Sequence, residues 1–148
     1  MVSALRDDEP AYHPMPGLAD LPELVETVRS TGLAVELTLP DDLQAIPRQT
    51  GSAVYRITRE ALTNVVRHAQ ASAASVQVNH HDGRVEVVVR DDGAGADPPS
   101  GPGTGAGHGI AGMRERAEAL GGQLSAGAST EGGFVVTAKL PVAPDQSR

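Results

Sequence analysis

The sequence contains no cysteine. Disulfide frameworks, thiolate zinc sites, iron–sulfur clusters and thiol chemistry are excluded with it. Aromatic residues are nearly as scarce, with one Phe, two Tyr and no Trp, so stacking platforms for bases or sugars are not expected. Basic residues are outnumbered: 12 Lys plus Arg stand against 19 Asp plus Glu, a formal charge of −7. Broad nucleic-acid binding needs a basic footprint, so no nucleic-acid partner is expected, whereas one phosphorylated ligand in a local pocket remains compatible. No run approaches the roughly 18 apolar residues of a membrane span. The opening MVSALRDDEP has an acidic flank and no apolar stretch of the kind a signal peptide needs. The expected compartment is the cytoplasm.

What is present is 148 residues, enough for one domain with its own core. Pro10, Pro14, Pro16 and Gly17 mark residues 1–17 as a linker. Leu21, Leu24, Val25 and Val28 have helical spacing, with Asp20 as a candidate N-cap, Pro22 in the first turn and Gly32 as the stop. Residues 33–39 suit a strand closed by Pro40. The longest helix is predicted at about 50–70, with Val54, Ile57, Ala61, Leu62, Val65, Val66 and Ala69 on its apolar face. Glu60, Asn64, Arg67 and His68 fall at i, i+4, i+7 and i+8 and share another face of that helix. Alternating segments at 75–80 and 84–90 flank His81, Asp82 and Gly83 as a hairpin. Two more strands, 123–129 and 134–140, flank a turn containing Gly132 and Gly133. Between the pairs, residues 96–109 hold Pro98, Pro99, Pro102 and five glycines; they read as a mobile loop, with helix resuming at Ile110. The tail 141–148 reads as disordered. The order predicts about five strands covered by helices on one face, a two-layer α/β sandwich.

Two glycine motifs bear on chemistry. Gly107-His108-Gly109-Ile110-Ala111-Gly112 matches G-x-G-x-x-G, but no strand precedes it, as a dinucleotide fold requires. Successive glycines there could still bring backbone N–H groups to phosphate oxygens at a helix N-terminus; a plain surface connection is the alternative. Asp91-Asp92-Gly93-Ala94-Gly95 sits where a predicted strand ends. Asp91 could accept a hydrogen bond from an exocyclic amine, with Gly93 and Gly95 leaving room for a flat ligand. The alternative is an ordinary Asp-Gly turn, with Asp92 solvated or turn-forming. Met113 reads as core, Arg114, Glu115 and Arg116 as a helix-surface network, and His80 and His81 as exposed.

Taken together and in order, Glu60-x-x-x-Asn64-x-x-Arg67-His68, Asp91-x-Gly93-x-Gly95 and Gly105-x-Gly107-x-Gly109 closely resemble the N, G1 and G2 boxes of the GHKL ATPase superfamily. REALTNVVRHA at 59–69 and GHGIAGMRERAEALGG at 107–122 are similar to runs in NarL-associated sensor histidine kinases, in an actinobacterial wording. The resemblance covers residues 18–140. It implies the Bergerat fold: a mixed sheet with helices on one face and a mobile ATP lid at 96–109. It also implies ATP and Mg²⁺ as cofactors. Asn64 would coordinate the metal. Glu60 would organise metal and attacking imidazole, with His68 as a second catalytic candidate. Arg67 would meet a phosphate oxygen, and Asp91 would read the adenine amine. Gly93 and Gly95 would make room for the base, and Gly105, Gly107 and Gly109 would form the phosphate-facing hinge of the lid.

In that family the γ-phosphate passes to a histidine on a separate dimerisation domain, then to a response regulator. Residues 1–17 would be the tail of such a region, and no acceptor helix pair precedes residue 18. The expectation is a monomeric ATP-binding domain that needs its acceptor in trans, from a parent kinase compatible with a membrane anchor. A stand-alone serine kinase of the anti-sigma-factor type and a non-catalytic nucleotide-binding module are the alternatives.

Overall fold

Buried apolar residues at every second position shape the sheet. In the computed structural model, which describes residues 16–93, 105–130 and 132–142, five strands form one sheet. They are β1 (Ala34–Thr38), β2 (Ala73–His81), β3 (Arg84–Asp91), β4 (Gln123–Ala128) and β5 (Phe134–Pro141). Their spatial order is β1-β2-β3-β5-β4. The β1–β2 pair is parallel and every other pair antiparallel. A parallel pair needs a long crossover, here supplied by helix α2 (Arg48–Asn64). The β2–β3 hairpin needs only two residues. Asp82 and Gly83 take φ +56° and +71°, the left-handed pair that matches the twist of the flanking strands.

The register stacks the apolar positions. Val76, Val89 and Val136 lie abreast across three strands, as do Val78, Val87 and Ala138, and all six are buried. Leu21, Val25 and Val28 of α1 (Leu21–Arg29), Val54, Ile57, Ala61 and Leu62 of α2, and Met113 and Ala117 of α3 (Gly105–Ala119) join the same core. The opposite sheet face carries Gln77, Arg84, Arg90 and Lys139 and is exposed. The result is the two-layer α/β sandwich with helices on one face.

Local chemistry departs from expectation in three places. Asp20 stands at the N-cap position of α1, but its side chain makes no capping bond there; its Oδ2 accepts from Gly17 N–H at 2.7 Å and closes the 3₁₀ turn Leu18–Asp20. His80 is not exposed. Its side chain is 12% accessible and its Nδ1 lies 2.9 Å from Asp42 Oδ2. It stands opposite Val85, on the helix-covered face, and pins the segment between β1 and α2 to the sheet. Finally, α3 begins at Gly105 rather than Ile110, for a reason that lies in the site. His13, Gly95, residues 96–104 of the predicted lid and residues 143–148 of the tail lie outside the described residues.

The exposed edge of β1 is also managed. Arg29 reaches from the last turn of α1 and donates Nε and Nη2 to Val35 O at 3.0 and 2.7 Å. A guanidinium on an edge carbonyl removes an acceptor that another strand could use.

Candidate functional site

Glu60 and Asn64 lie one turn apart on α2 and are both half-buried. The α-helix then gives way to a π-helical turn, Val65–Ala69, followed by Gln70 in the left-handed region at φ 51°. A π turn takes more residues than an α turn. Arg67 is therefore rotated away from the position that a continuous α-helix would give it beside Asn64. Arg67 is exposed. The backbone of His68 lies in this turn, and its side chain is outside the described part of the chain.

The N-terminal part of α3 packs on α2. A Cβ on Gly109 would fall 2.5 Å from Glu60 Oε2 and 3.3 Å from Asn64 Nδ2. Glycine at 109 thus lets one helix backbone touch the polar side chains of the other. Three glycines in a first turn and a half cost helix propensity, about 1 kcal/mol each. Tertiary packing outweighs such costs, so the helix starts five residues earlier than the glycine pattern predicts. Gly105, Gly107 and Gly109 consequently lie within the helix rather than in a loop. The first N–H groups of α3 have no intrahelical acceptor and carry the positive end of its dipole.

Asp91 ends β3 on the same helix-covered face as Val85, Val87 and Val89, and is 8% exposed. Its Oδ1 accepts from Gly93 N–H at 2.8 Å, an Asx turn. Among the described residues its Oδ2 takes no hydrogen bond. The ordinary turn and the amine acceptor are therefore compatible, because one carboxylate has an oxygen for each. Asp92 is engaged rather than simply solvated. It accepts from Ser72 N–H, Ala73 N–H and Ser72 Oγ, each at 2.9 Å. These bonds, the Ala73 N–H foremost, hold its carboxyl below the usual range.

The motif reading overlooked Gly133. At φ +82°, a Cβ there would fall 1.8 Å from Asp91 O. Glycine before an alternating strand was a visible signal, but its partner 42 positions away was not. Gly133→Ala is expected to destabilise the protein by about 2 kcal/mol or more, through a backbone clash and a strained φ. The denaturant midpoint reads this; an unchanged midpoint would show that the corner yields freely.

The site thus has two parts on one face of the sheet. One is an oxygen-bearing pair, Glu60 and Asn64, against the start of α3. The other is a carboxylate acceptor at a strand end. Among the described residues no three His, Asp or Glu side chains gather as a metal cage. A hard cation beside Asn64 would take most of its ligands from phosphate and water. A helix N-terminus beside an amide side chain suits a phosphate chain, and a free carboxylate oxygen suits an amine.

Residues 49–144 match the family model described as histidine kinase-, DNA gyrase B- and HSP90-like ATPase. Over 114 residues the chain is 37% identical to the signal transduction histidine-protein kinase/phosphatase UhpB of Salmonella typhimurium, covering 77% of this chain and 22% of that protein. Over 130 residues it is 35% identical to the sensor histidine kinase YxjM of Bacillus subtilis, covering 86% of this chain and 31% of the relative. It is 38% identical over 128 residues to the nitrate/nitrite sensor protein NarQ of Escherichia coli, covering 80% and 22%. The chain therefore spans a third or less of these relatives. The fold is similar to the histidine kinase domain of the blue-light activated histidine kinase EL346 of Erythrobacter litoralis. The TM-score is 0.66 at 21% identity, covering 88% of this chain and 63% of that one.

Proposed function

The chain belongs to the histidine kinase-, DNA gyrase B- and HSP90-like ATPase family, and on that premise we propose that it is the ATP-binding catalytic domain of a sensor histidine kinase. It would donate the γ-phosphate of ATP to a histidine on a separate dimerisation domain, and through it supply a response regulator. The observation that carries this reading is Asp91: a buried strand-end carboxylate with one oxygen held by Gly93 N–H and the other open. The NarL-associated type belongs to the same proposal, supported by the runs at 59–69 and 107–122, as do an actinobacterial source and a cytoplasmic location. Among the described residues, no helix is long and apolar enough to cross a membrane.

The roles divide along the site. Asp91 Oδ2 accepts the adenine N6 amine, and Gly93 and Gly95 leave its ring room. The first N–H groups of α3, at Gly105 and Gly107, meet phosphate oxygens, and Gly109 keeps that helix against Glu60. Arg67 reaches the phosphates from the exposed π turn. Asn64 would hold Mg²⁺ through its amide oxygen, and the ion would supply neutralisation of phosphate charge. Glu60 and His68 are the catalytic candidates, with Glu60 orienting the incoming imidazole. Placement and charge stabilisation supply the rate, as phosphoryl transfer requires.

The test has two stages. Calorimetric titration is expected to find ATP binding with Mg²⁺, and weaker GTP binding because O6 presents an acceptor to Asp91. Incubation with labelled ATP is then expected to leave this chain unlabelled, and to give acid-labile label once a histidine acceptor domain from a relative is added. Label on His68 in the chain alone would make it a self-contained kinase. Phosphoserine on a captured protein would favour the serine-kinase alternative.

A further inference from the structure

Asp92 lies on the surface, yet both of its carboxylate oxygens are engaged by the chain itself. Between them, the carboxylate oxygens accept from Ser72, just before β2, and from Ala73, its first residue. Its own N–H donates to Ala73 O at 3.1 Å, adding one rung to the β2–β3 ladder. Four hydrogen bonds therefore tie one residue to a two-residue stretch. Ser72 is itself anchored, since its carbonyl accepts from Ala34 N–H at 3.1 Å. It lies three residues beyond the π turn that carries Arg67, after Gln70 and Ala71. On the far side of the same corner, the Gly133 backbone lies against Asp91 O and Asp92 Cα.

The orientation of the Asp91 carboxylate depends on this corner. Its Oδ1 is fastened to Gly93 N–H, so the direction of Oδ2 follows the backbone path through residue 92. A hydrogen bond weakens steeply as its angle closes. Small drift at residue 92 would therefore cost recognition of the base while leaving phosphate contacts at α3 and Asn64 in place.

We propose that Asp92, through its clamp on Ser72 and Ala73, is a positioning residue that aims Asp91 Oδ2 and so sets the preference for adenine. The proposal rests on the nucleotide-binding reading above.

The experiment compares ATP with ITP, whose hypoxanthine carries O6 in place of the N6 amine, by titration calorimetry with Mg²⁺. The full chain, Asp92→Ala, Asp92→Asn and Ser72→Ala are measured, with circular dichroism reporting the fold of each. The unsubstituted chain is expected to prefer ATP by about tenfold, a difference of about 1.4 kcal/mol. Asp92→Ala is expected to bring the ITP/ATP ratio of Kd values close to one, chiefly by weakening ATP. Asp92→Asn retains acceptor Oδ1 for the two N–H groups and a donor for Ser72 Oγ, and is expected to restore the preference. Ser72→Ala removes one bond of the four, giving a smaller shift that remains readable where Asp92→Ala does not fold. An Asp92→Ala ratio equal to that of the unsubstituted chain, with ATP affinity lowered or not, would overturn the proposal and leave Asp92 a stabilising surface residue. A chain that binds both nucleotides equally before any substitution would overturn the Asp91 assignment, one that binds neither would overturn the nucleotide reading, and this inference would fall with either.

Discussion

Asp91→Asn is expected to lower ATP affinity by about one to two orders of magnitude and to reverse the base preference. A hydrogen bond to a charged acceptor contributes roughly 1.5–3 kcal/mol, and an unpaired buried donor costs a comparable amount. Asparagine retains an oxygen for Gly93 N–H, so the Asx turn survives. Its other atom becomes an NH₂, which opposes the N6 amine of adenine and suits the O6 of hypoxanthine or guanine. ATP should weaken while ITP holds or improves. The contrast with Asp92→Ala is useful: loss of aim removes the preference, whereas exchange of acceptor for donor inverts it. Equal loss for ATP and ITP, with the circular dichroism spectrum unchanged, would remove Asp91 from base recognition.

Gly109→Ala is expected to reduce phosphotransfer to an added acceptor domain by about 100-fold while changing thermal stability little, since a displacement of about 1 Å at a reacting group costs that much. The added Cβ would sit 2.5 Å from Glu60 Oε2. That oxygen is the far end of a flexible side chain, so Glu60 moves aside and the fold persists. The displacement also disturbs Asn64, whose Nδ2 would lie 3.3 Å from the new atom. ATP binding should weaken less than transfer, because Asp91 lies at the other part of the site. Phosphotransfer at the unsubstituted rate would mean that the contact between α3 and Glu60 is packing alone.

The alternation of apolar and polar residues in β2 and β3 needed no tertiary information, because period two allows one buried face. The same holds for the Asp82-Gly83 turn and the apolar stripe of α2. The grouping of Glu60 with Asn64 was legible because four residues make one helical turn. The end of that stripe was not: a π turn and the left-handed Gln70 have no periodic signature, so the backbone at Arg67 departs from the continuous helix that the spacing predicts. His80 was misread for a similar reason. Its place beside a turn suggested exposure, while its partner Asp42 comes from a segment 38 residues earlier.

What the sequence by itself determined is the five strands and three main helices and their order, since these follow from short-range periodicity and residue type. Only the tertiary structure decided that α3 begins at Gly105, that Gly109 touches Glu60, that Gly133 closes on Asp91 and that Asp92 is bound to Ser72 and Ala73. Each depends on a contact between distant segments. A glycine's value at such a contact is the absence of an atom, and that absence has meaning only once the neighbour it makes room for is in place.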